Sequence, residues 1–249
     1  MSFANKVVLI TGGSSGIGAT TAIFFAKEGA DVAIVGRNQT KLKRVSEECA
    51  KNGKTPLVIT AEMNKDDDVK RIVKETVEKF NKIDVLVNNA GISVTGTILD
   101  GKVLAAYDAI MSVNVRSVIQ LTTLVAPYLV KTKGNIVNIS SIAGKKVRST
   151  AYMAYNVSKA ALDHFTRAAA LELSASGVRV NAVSPGPVKT DFFDNCAMPV
   201  TADGLGDIMA LKRASDPEEI ANLILYLASD KARGITGSDF VCDNGGLIV

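Results

Sequence analysis

What most limits the fold of this chain is a rhythm: short β-branched apolar runs alternate with longer stretches of helical period along nearly all of its 249 residues. The runs fall at 6–10, 31–36, 56–60, 83–88, 135–140, 178–183 and 239–242, and the first helical patterns between them at 16–28, 39–51 and 66–81. A β-α-β order of this kind predicts parallel strands with crossover helices on both faces of one sheet. Most runs are apolar without alternation, as in Val7-Val8-Leu9-Ile10 and Val32-Ala33-Ile34-Val35, which is the pattern of strands covered on both faces. The predicted fold class is therefore α/β, a doubly wound parallel sheet of about seven strands. With 47% hydrophobic residues the chain can bury a substantial core, and this length is commonly one domain, so one domain is expected over 1–249.

Several function classes are disfavoured. The N-terminal residues 1–5 lead directly into the first apolar run, with no signal-peptide core or cleavage site, so export is not expected. The apolar stretch 121–130 is interrupted by Thr122, Thr123 and Pro127, so no membrane span is expected. Cys49, Cys196 and Cys242 are widely spaced, with a single histidine in the chain. They fit reduced thiols in a cytoplasmic setting, not a metal site. The net charge is +4, but Lys and Arg are interleaved with Asp and Glu, which argues against a nucleic-acid partner. Only the segment 190–212 lacks a clear period before Asp216-Pro217-Glu218-Glu219 opens another helix. A loop of that length reads as a substrate lid or as disorder, and the lid is favoured.

Thr11-Gly12-Gly13-Ser14-Ser15-Gly16-Ile17-Gly18 follows the first run and opens a helix. That arrangement aims backbone N–H groups and the positive helix end at a pyrophosphate. The glycines at 12, 16 and 18 do not have the G-x-G-x-x-G spacing, and a flexible strand-to-helix turn would also use such residues. The second run ends in Gly36-Arg37-Asn38. An NAD-binding chain usually has a carboxylate there for the ribose hydroxyl. With none present, and with a guanidinium able to hold a 2′-phosphate in bidentate fashion, the preference is NADP(H), unless Arg37 is simply a solvated charge.

Tyr155 and Lys159 are four apart at the start of a long helical pattern, so they share a face. An ammonium beside a phenol is expected to lower the tyrosine pKa toward working pH and make it a general acid/base, although such a pair also occurs on ordinary helices. Ser140-Ser141 ends the fifth run at the carboxyl edge, where open α/β sheets bind ligands. No nucleophile elbow surrounds these serines, and the one histidine, His164, reads as a helix-packing residue. Asn88-Asn89-Ala90-Gly91 closes the fourth run, and Asn114 sits in an apolar helical stretch. A buried amide there needs partners, and local backbone could supply them.

In their order along the chain, these motifs resemble the short-chain dehydrogenase/reductase family, including its 3-oxoacyl-(acyl-carrier-protein) reductase-like members. TGGSSGIG at 11–18 is similar to the family's TGxxxGxG cofactor turn, NNAG at 88–91 to its sheet-stabilising motif, and Tyr155-x-x-x-Lys159 to its active-site signature. The resemblance implies a Rossmann-type fold and a catalytic set of Asn114, Ser141, Tyr155 and Lys159. In it Tyr155 exchanges the proton, Ser141 orients the substrate oxygen, Lys159 holds the nicotinamide ribose and tunes Tyr155, and Asn114 supports a water relay. The cofactor-binding positions it implies are Thr11, Gly12, Ser14, Ser15, Gly16, Ile17, Gly18, Arg37, Asn38, Glu62, Met63, Asn89, Ala90, Gly91, Tyr155, Lys159, Pro185, Gly186, Val188 and Thr190.

Three departures accompany the resemblance. Glu62-Met63 stands where Asp-Val is usual, Ser141 and Tyr155 are fourteen positions apart, and Asn244 is added before the final glycine pair. The implied partners are a carbonyl or alcohol substrate and further copies of the chain, as a homotetramer or homodimer built through helices at 102–130 and 152–174. Phe192, Phe193, Met198 and Leu205, with Val94 and Met153, suggest a lipophilic carbonyl such as a steroid, a xenobiotic ketone or a 3-oxoacyl group. The reading of another class is a non-catalytic NADP(H)-binding regulator on the same fold.

Overall fold

The computed structural model of the chain describes residues 2–198 and 200–249. The seven runs form one sheet: β1 (Val7–Thr11), β2 (Asp31–Gly36), β3 (Leu57–Thr60), β4 (Val85–Asn88), β5 (Asn135–Ile139), β6 (Arg179–Pro185) and β7 (Asp239–Cys242). They pair in parallel, in the order β3-β2-β1-β4-β5-β6-β7. Strand ends move by one or two residues from the sequence expectation. The fourth run loses 83 and 84, where the buried Asp84 accepts a hydrogen bond from Val7 N at 2.8 Å and pairs with Lys82 at 3.1 Å.

Crossover helices cover both faces. On one side α1 (Gly16–Lys27) and α2 (Gln39–Asn52) lie with α9 (Pro217–Ala228), and on the other α3 (Asp66–Phe80) lies with α5 (Ser117–Thr132) and α6 (Met153–Ser174). Side chains on a strand alternate between faces. Val8 and Ile10 therefore pack with Phe25, Ile220 and Ile224, while Leu9, Leu86 and Ile136 pack with Ile72, Leu121 and Val125. A fully buried side chain of this size contributes about 1.5–3 kcal/mol through its transfer from water. At the centre of the sheet, Asn88 donates to Asn138 Oδ1 at 2.9 Å, and Asn138 donates to Thr166 Oγ1 at 2.9 Å. The first NNAG residue thus pins β4 to β5, and Asn138 in turn pins β5 to α6.

The helical stretch expected at 102–130 is α4 (Val103–Met111), a π turn at Ser112–Arg116 and α5 in continuous succession. By length and composition, Val103–Thr132 could cross a bilayer. Its Leu121, Val125 and Leu129, however, are completely buried within the second core, as in the core helix of a globular fold. The stretch 190–212 is not irregular throughout, because it holds α7 (Phe192–Asn195) and α8 (Ala202–Gly206). Helices this short show no period in a sequence window. His164 is exposed on α6 beside Arg167 and does not pack in the core. The strand order reverses at β1 and β4, so the carboxyl ends there open a crevice.

Candidate active site

The crevice holds a cavity of about 820 Å³ that runs from the Gly-rich turn, past the ends of β4 and β5, to the segment bearing α7 and α8. At one end lie Gly12, Ser14, Ser15 and Ile17. Helix α1 begins there with neither a side-chain cap nor an acidic residue in its first turn, which leaves its N–H groups for an anion. The glycines at 12 and 18 are set by close approach. Gly12 has φ +66°, and a Cβ on Gly18 would lie 2.3 Å from Gly12 O and 2.5 Å from Asn89 Nδ2. Asn89 in turn donates to Thr11 O at 3.0 Å and Gly12 O at 3.1 Å. Arg37 borders the cavity at the end of β2 and enters no ion pair or hydrogen bond among the described residues. Glu62 and Met63 line the same end beyond β3.

At the other end, the first turns of α6 present Tyr155 and Lys159. Lys159 is 5% exposed, and its Nζ donates to Ile139 O at 2.8 Å and stands 5.6 Å from the centroid of the Tyr155 ring. Ser140 turns inward, donating to Lys159 O at 3.3 Å. Ser141, whose Oγ accepts from Ala143 N at 3.1 Å, sits beside the Tyr155 hydroxyl. Phe192 covers the phenol, with ring centroids 5.9 Å apart.

The electrostatics correct one expectation. Burial pushes the Tyr155 phenol up to about 12, outweighing the hydrogen bond from Ser141 that would lower it. Burial also draws Lys159 down to about 8, against the field of Asp163. The ammonium points at the β5 carbonyl, while the phenolate would lose its hydration under the aromatic cover, so desolvation decides. At neutral pH the Tyr155 phenol therefore keeps its proton.

Most residues singled out from sequence border the cavity, including Asn89, Ala90, Gly91, Pro185, Gly186, Val188 and Thr190. Thr11, Gly16, Gly18, Asn38 and Asn114 do not. Thr11 Oγ1 is held by Val87 O, Asn89 N and Ala90 N. Gly16 backs onto Thr190, Gly18 supports Gly12, and Asn38 caps α2 by accepting from Lys41 N at 2.9 Å. Asn114 is clamped behind the site. Its Oδ1 accepts from Ile92 N at 2.9 Å, and its Nδ2 donates to Ile92 O at 2.9 Å and Ser158 Oγ at 3.1 Å. The π turn supplies this inward aim, a common device near functional sites.

Of the apolar contacts suggested for a substrate, Phe192, Phe193, Met198 and Leu205 line the cavity, whereas Val94 and Met153 do not. Residues not anticipated include Tyr152 and Asn156, flanking Tyr155, and Lys146 and Arg148 at the rim. Cys196 also lines the wall, with its Sγ 3.2 Å from Ser93 N. Only the spacing of Tyr152 three residues before Tyr155 could have signalled any of them.

Comparison with known proteins agrees with this geometry. A family model described as enoyl-(acyl carrier protein) reductase matches residues 12–246. A 3-oxoacyl-(acyl-carrier-protein) reductase of Thermotoga maritima is 37% identical, with 100% of each chain covered. A short-chain dehydrogenase/reductase of unknown function from Caenorhabditis elegans, solved with cofactor, superimposes with a TM-score of 0.94 at 38% identity, covering 100% of this chain and 97% of that one. A short-chain dehydrogenase from Burkholderia cenocepacia in complex with NADP has a TM-score of 0.92 at 33% identity, covering 99% of this chain and 100% of that one. Matched by the family model over residues 12–246 and by relatives at 33–38% identity over nearly its whole length, the chain belongs to the short-chain dehydrogenase/reductase family, oxidoreductases of the alcohol/carbonyl couple.

Proposed function

We propose that the protein is one NADP(H)-dependent catalytic domain that reversibly reduces a lipophilic ketone or aldehyde to an alcohol. The observation that carries this reading is one continuous cavity bordered by the phosphate turn, Arg37, Ser141, Tyr155 and Lys159. The cofactor end fits a dinucleotide phosphate. Its cradle at Gly12 and Gly18 has no room for a Cβ, α1 opens uncapped, and Arg37 has no carboxylate partner among the described residues. NADP in the Burkholderia relative supports the same choice.

Gly12, Ser14, Ser15 and Ile17 would hold the pyrophosphate, Arg37 the 2′-phosphate, Glu62 and Met63 the adenine side, and Lys159 the nicotinamide ribose. Pro185, Gly186, Val188 and Thr190 would bound the nicotinamide pocket. When bound, the nicotinamide supplies or accepts the hydride. Ser141 orients the substrate oxygen, and Tyr155 donates its phenolic proton to that oxygen as the carbonyl carbon is reduced. Lys159 sets the field around the phenol, and Asn114 keeps an acceptor position on Oδ1, close to Gly91 and thus to Lys159, for a relayed proton. The apolar body of the substrate lies against Phe192, Phe193, Met198 and Leu205, which favours a steroid, a xenobiotic ketone or a 3-oxoacyl group. Exposed Leu104, Tyr107, Ile119 and Leu171 on α4, α5 and α6 support a homotetramer or homodimer, and free Cys49, Cys196 and Cys242 suit the cytoplasm.

Oxidation of NADPH followed at 340 nm over a panel of carbonyls tests the reading. Turnover by the wild type and its loss by about 100-fold or more in Tyr155→Phe, the scale of general acid catalysis, is the expected result. Tight NADPH binding with no turnover anywhere would favour the regulator instead.

A further inference from the structure

The proposed chemistry uses the buried Lys159, and a second lysine, exposed along its backbone but with its ammonium enclosed by acceptors, lies on the turn after Ser141. Lys145 follows the 3-10 turn Ile142–Gly144, four residues beyond Ser141. Its side chain is 24% exposed, and its ammonium reaches Asp163 Oδ2 on α6 at 2.7 Å, Ser184 Oγ on β6 at 3.0 Å and Asp239 Oδ2 at the start of β7. Ser184 Oγ donates to Asp239 Oδ1 at 2.7 Å, which closes the ring. Three acceptors match the three N–H groups of an ammonium. Burial disfavours its charge, but the bonds to Asp163 and Asp239 more than offset this and hold its proton above the usual lysine range. The segments so joined are the Ser141 turn, the Tyr155-Lys159 helix, the strand that runs into Pro185-Gly186 and the start of β7.

Asp163 links this cluster to the site. It is 7% exposed, its Oδ1 has no hydrogen-bond partner among the described residues, and it stands four residues after Lys159 on the same helix face. Lys145 with two carboxylates leaves a net negative charge, and the field of Asp163 reaches Lys159. The other groups around Lys159 are the Tyr155 ring, the Ile139 carbonyl and the neutral Asn114 amide. On the helices packed across from it, Asp108 and Arg116 are exposed, and Arg116 is paired with Asp66.

We propose that Lys145 and Asp163 are positioning residues, which lock the Ser141 turn to α6 and set the charge state of Lys159. The inference deepens the proposed function and rests on Lys159 being the lysine of that site. Its physical content is a pair of opposite effects. Asp163→Asn removes the negative neighbour, so Lys159 should lose its proton at lower pH. Lys145→Met leaves Asp163 and Asp239 without their cation, so Lys159 should keep its proton to higher pH. Loosened packing alone would not produce opposite signs.

The test is labelling of the protein without cofactor by acetic anhydride across pH, with the Lys159 peptide quantified by mass spectrometry. The midpoint near 8 in the wild type should fall by about one pH unit in Asp163→Asn and rise by a similar amount in Lys145→Met. Lys145→Arg should hold it within a few tenths. Shifts of the same sign, or none, overturn the proposal. Circular dichroism checks folding, and should Lys145→Met not fold, the near-isosteric Asp163→Asn decides by itself. The alkaline limb of kcat/KM for carbonyl reduction should move with the same signs. Labelling shifts with no turnover by any form would sink the enzymatic reading and leave the Lys159 effect standing. Turnover with an unmoved midpoint would do the reverse.

Discussion

Replacing Arg37 tests the cofactor reading at its most specific atom. The guanidinium lies at the cavity rim, exposed and without a partner among the described residues, so removing it breaks no contact described in the fold. A unit-charge pair at 4 Å near a surface gives about 4 kcal/mol before screening. Exposed pairs measure about 0.2–1 kcal/mol, and hydrogen bonds to charged groups about 1.5–3 kcal/mol. An exposed but bidentate contact to a phosphate lies between, at about 1–3 kcal/mol, or roughly 5- to 150-fold in affinity. Arg37→Ala should lower kcat/KM for NADPH by that factor and leave NADH almost unchanged. Arg37→Asp should go further and improve NADH, because a carboxylate at this strand end accepts from the ribose hydroxyl. The assay is steady-state kinetics with both cofactors at 0.02 and 0.5 M salt. The NADPH advantage of the wild type should shrink at high salt as the Debye length contracts. Equal losses for both cofactors, or none, would refute the reasoning.

Other outcomes follow from the same geometry. Gly18→Ala drives a Cβ into Gly12 O and the Asn89 amide, so a loss of about 1–3 kcal/mol and a Tm lower by several degrees are expected, together with weakened NADPH binding in a fluorescence titration. Gly234→Ala, with nothing near its Cβ position, is the matched control and should leave both unchanged. With Lys159 near 8, the lysine is charged below that pH and neutral above it, so carbonyl reduction should slow as pH rises through about 8. Tyr155, pushed up to about 12, should add no acid limb between pH 5 and 8, which a pH profile with a non-ionising ketone would show. Lys41 on α2 pairs with Asp191, just before α7, across a largely exposed contact. Lys41→Ala should leave Tm within about a degree, since such a pair contributes about 0–1 kcal/mol, while hydrogen exchange of peptides from 190–212 rises up to about fivefold.

The sequence by itself determined the architecture and the chemical inventory. Unbroken apolar runs separated by helical periods have few solutions other than a parallel sheet covered on both faces, because that pattern repeats locally and needs no distant partner to be read. The Gly-rich turn, Arg37, the Ser140-Ser141 pair and the Tyr155-Lys159 spacing were legible for the same reason, since each sits at a strand end or a helix start that the local pattern marks, whereas the choice of Ser141 within its pair came from the family resemblance. Tertiary structure decided what those groups experience. The π turn that aims Asn114 at Ile92 depends on packing against a loop twenty-two residues away. The short helices α7 and α8 form where periodicity is too brief to register, and they bring Phe192 over Tyr155. Spacing alone implied an ammonium lowering a phenol's pKa. Burial reversed that sign, because desolvation is a property of the enclosed site and not of the residues that line it.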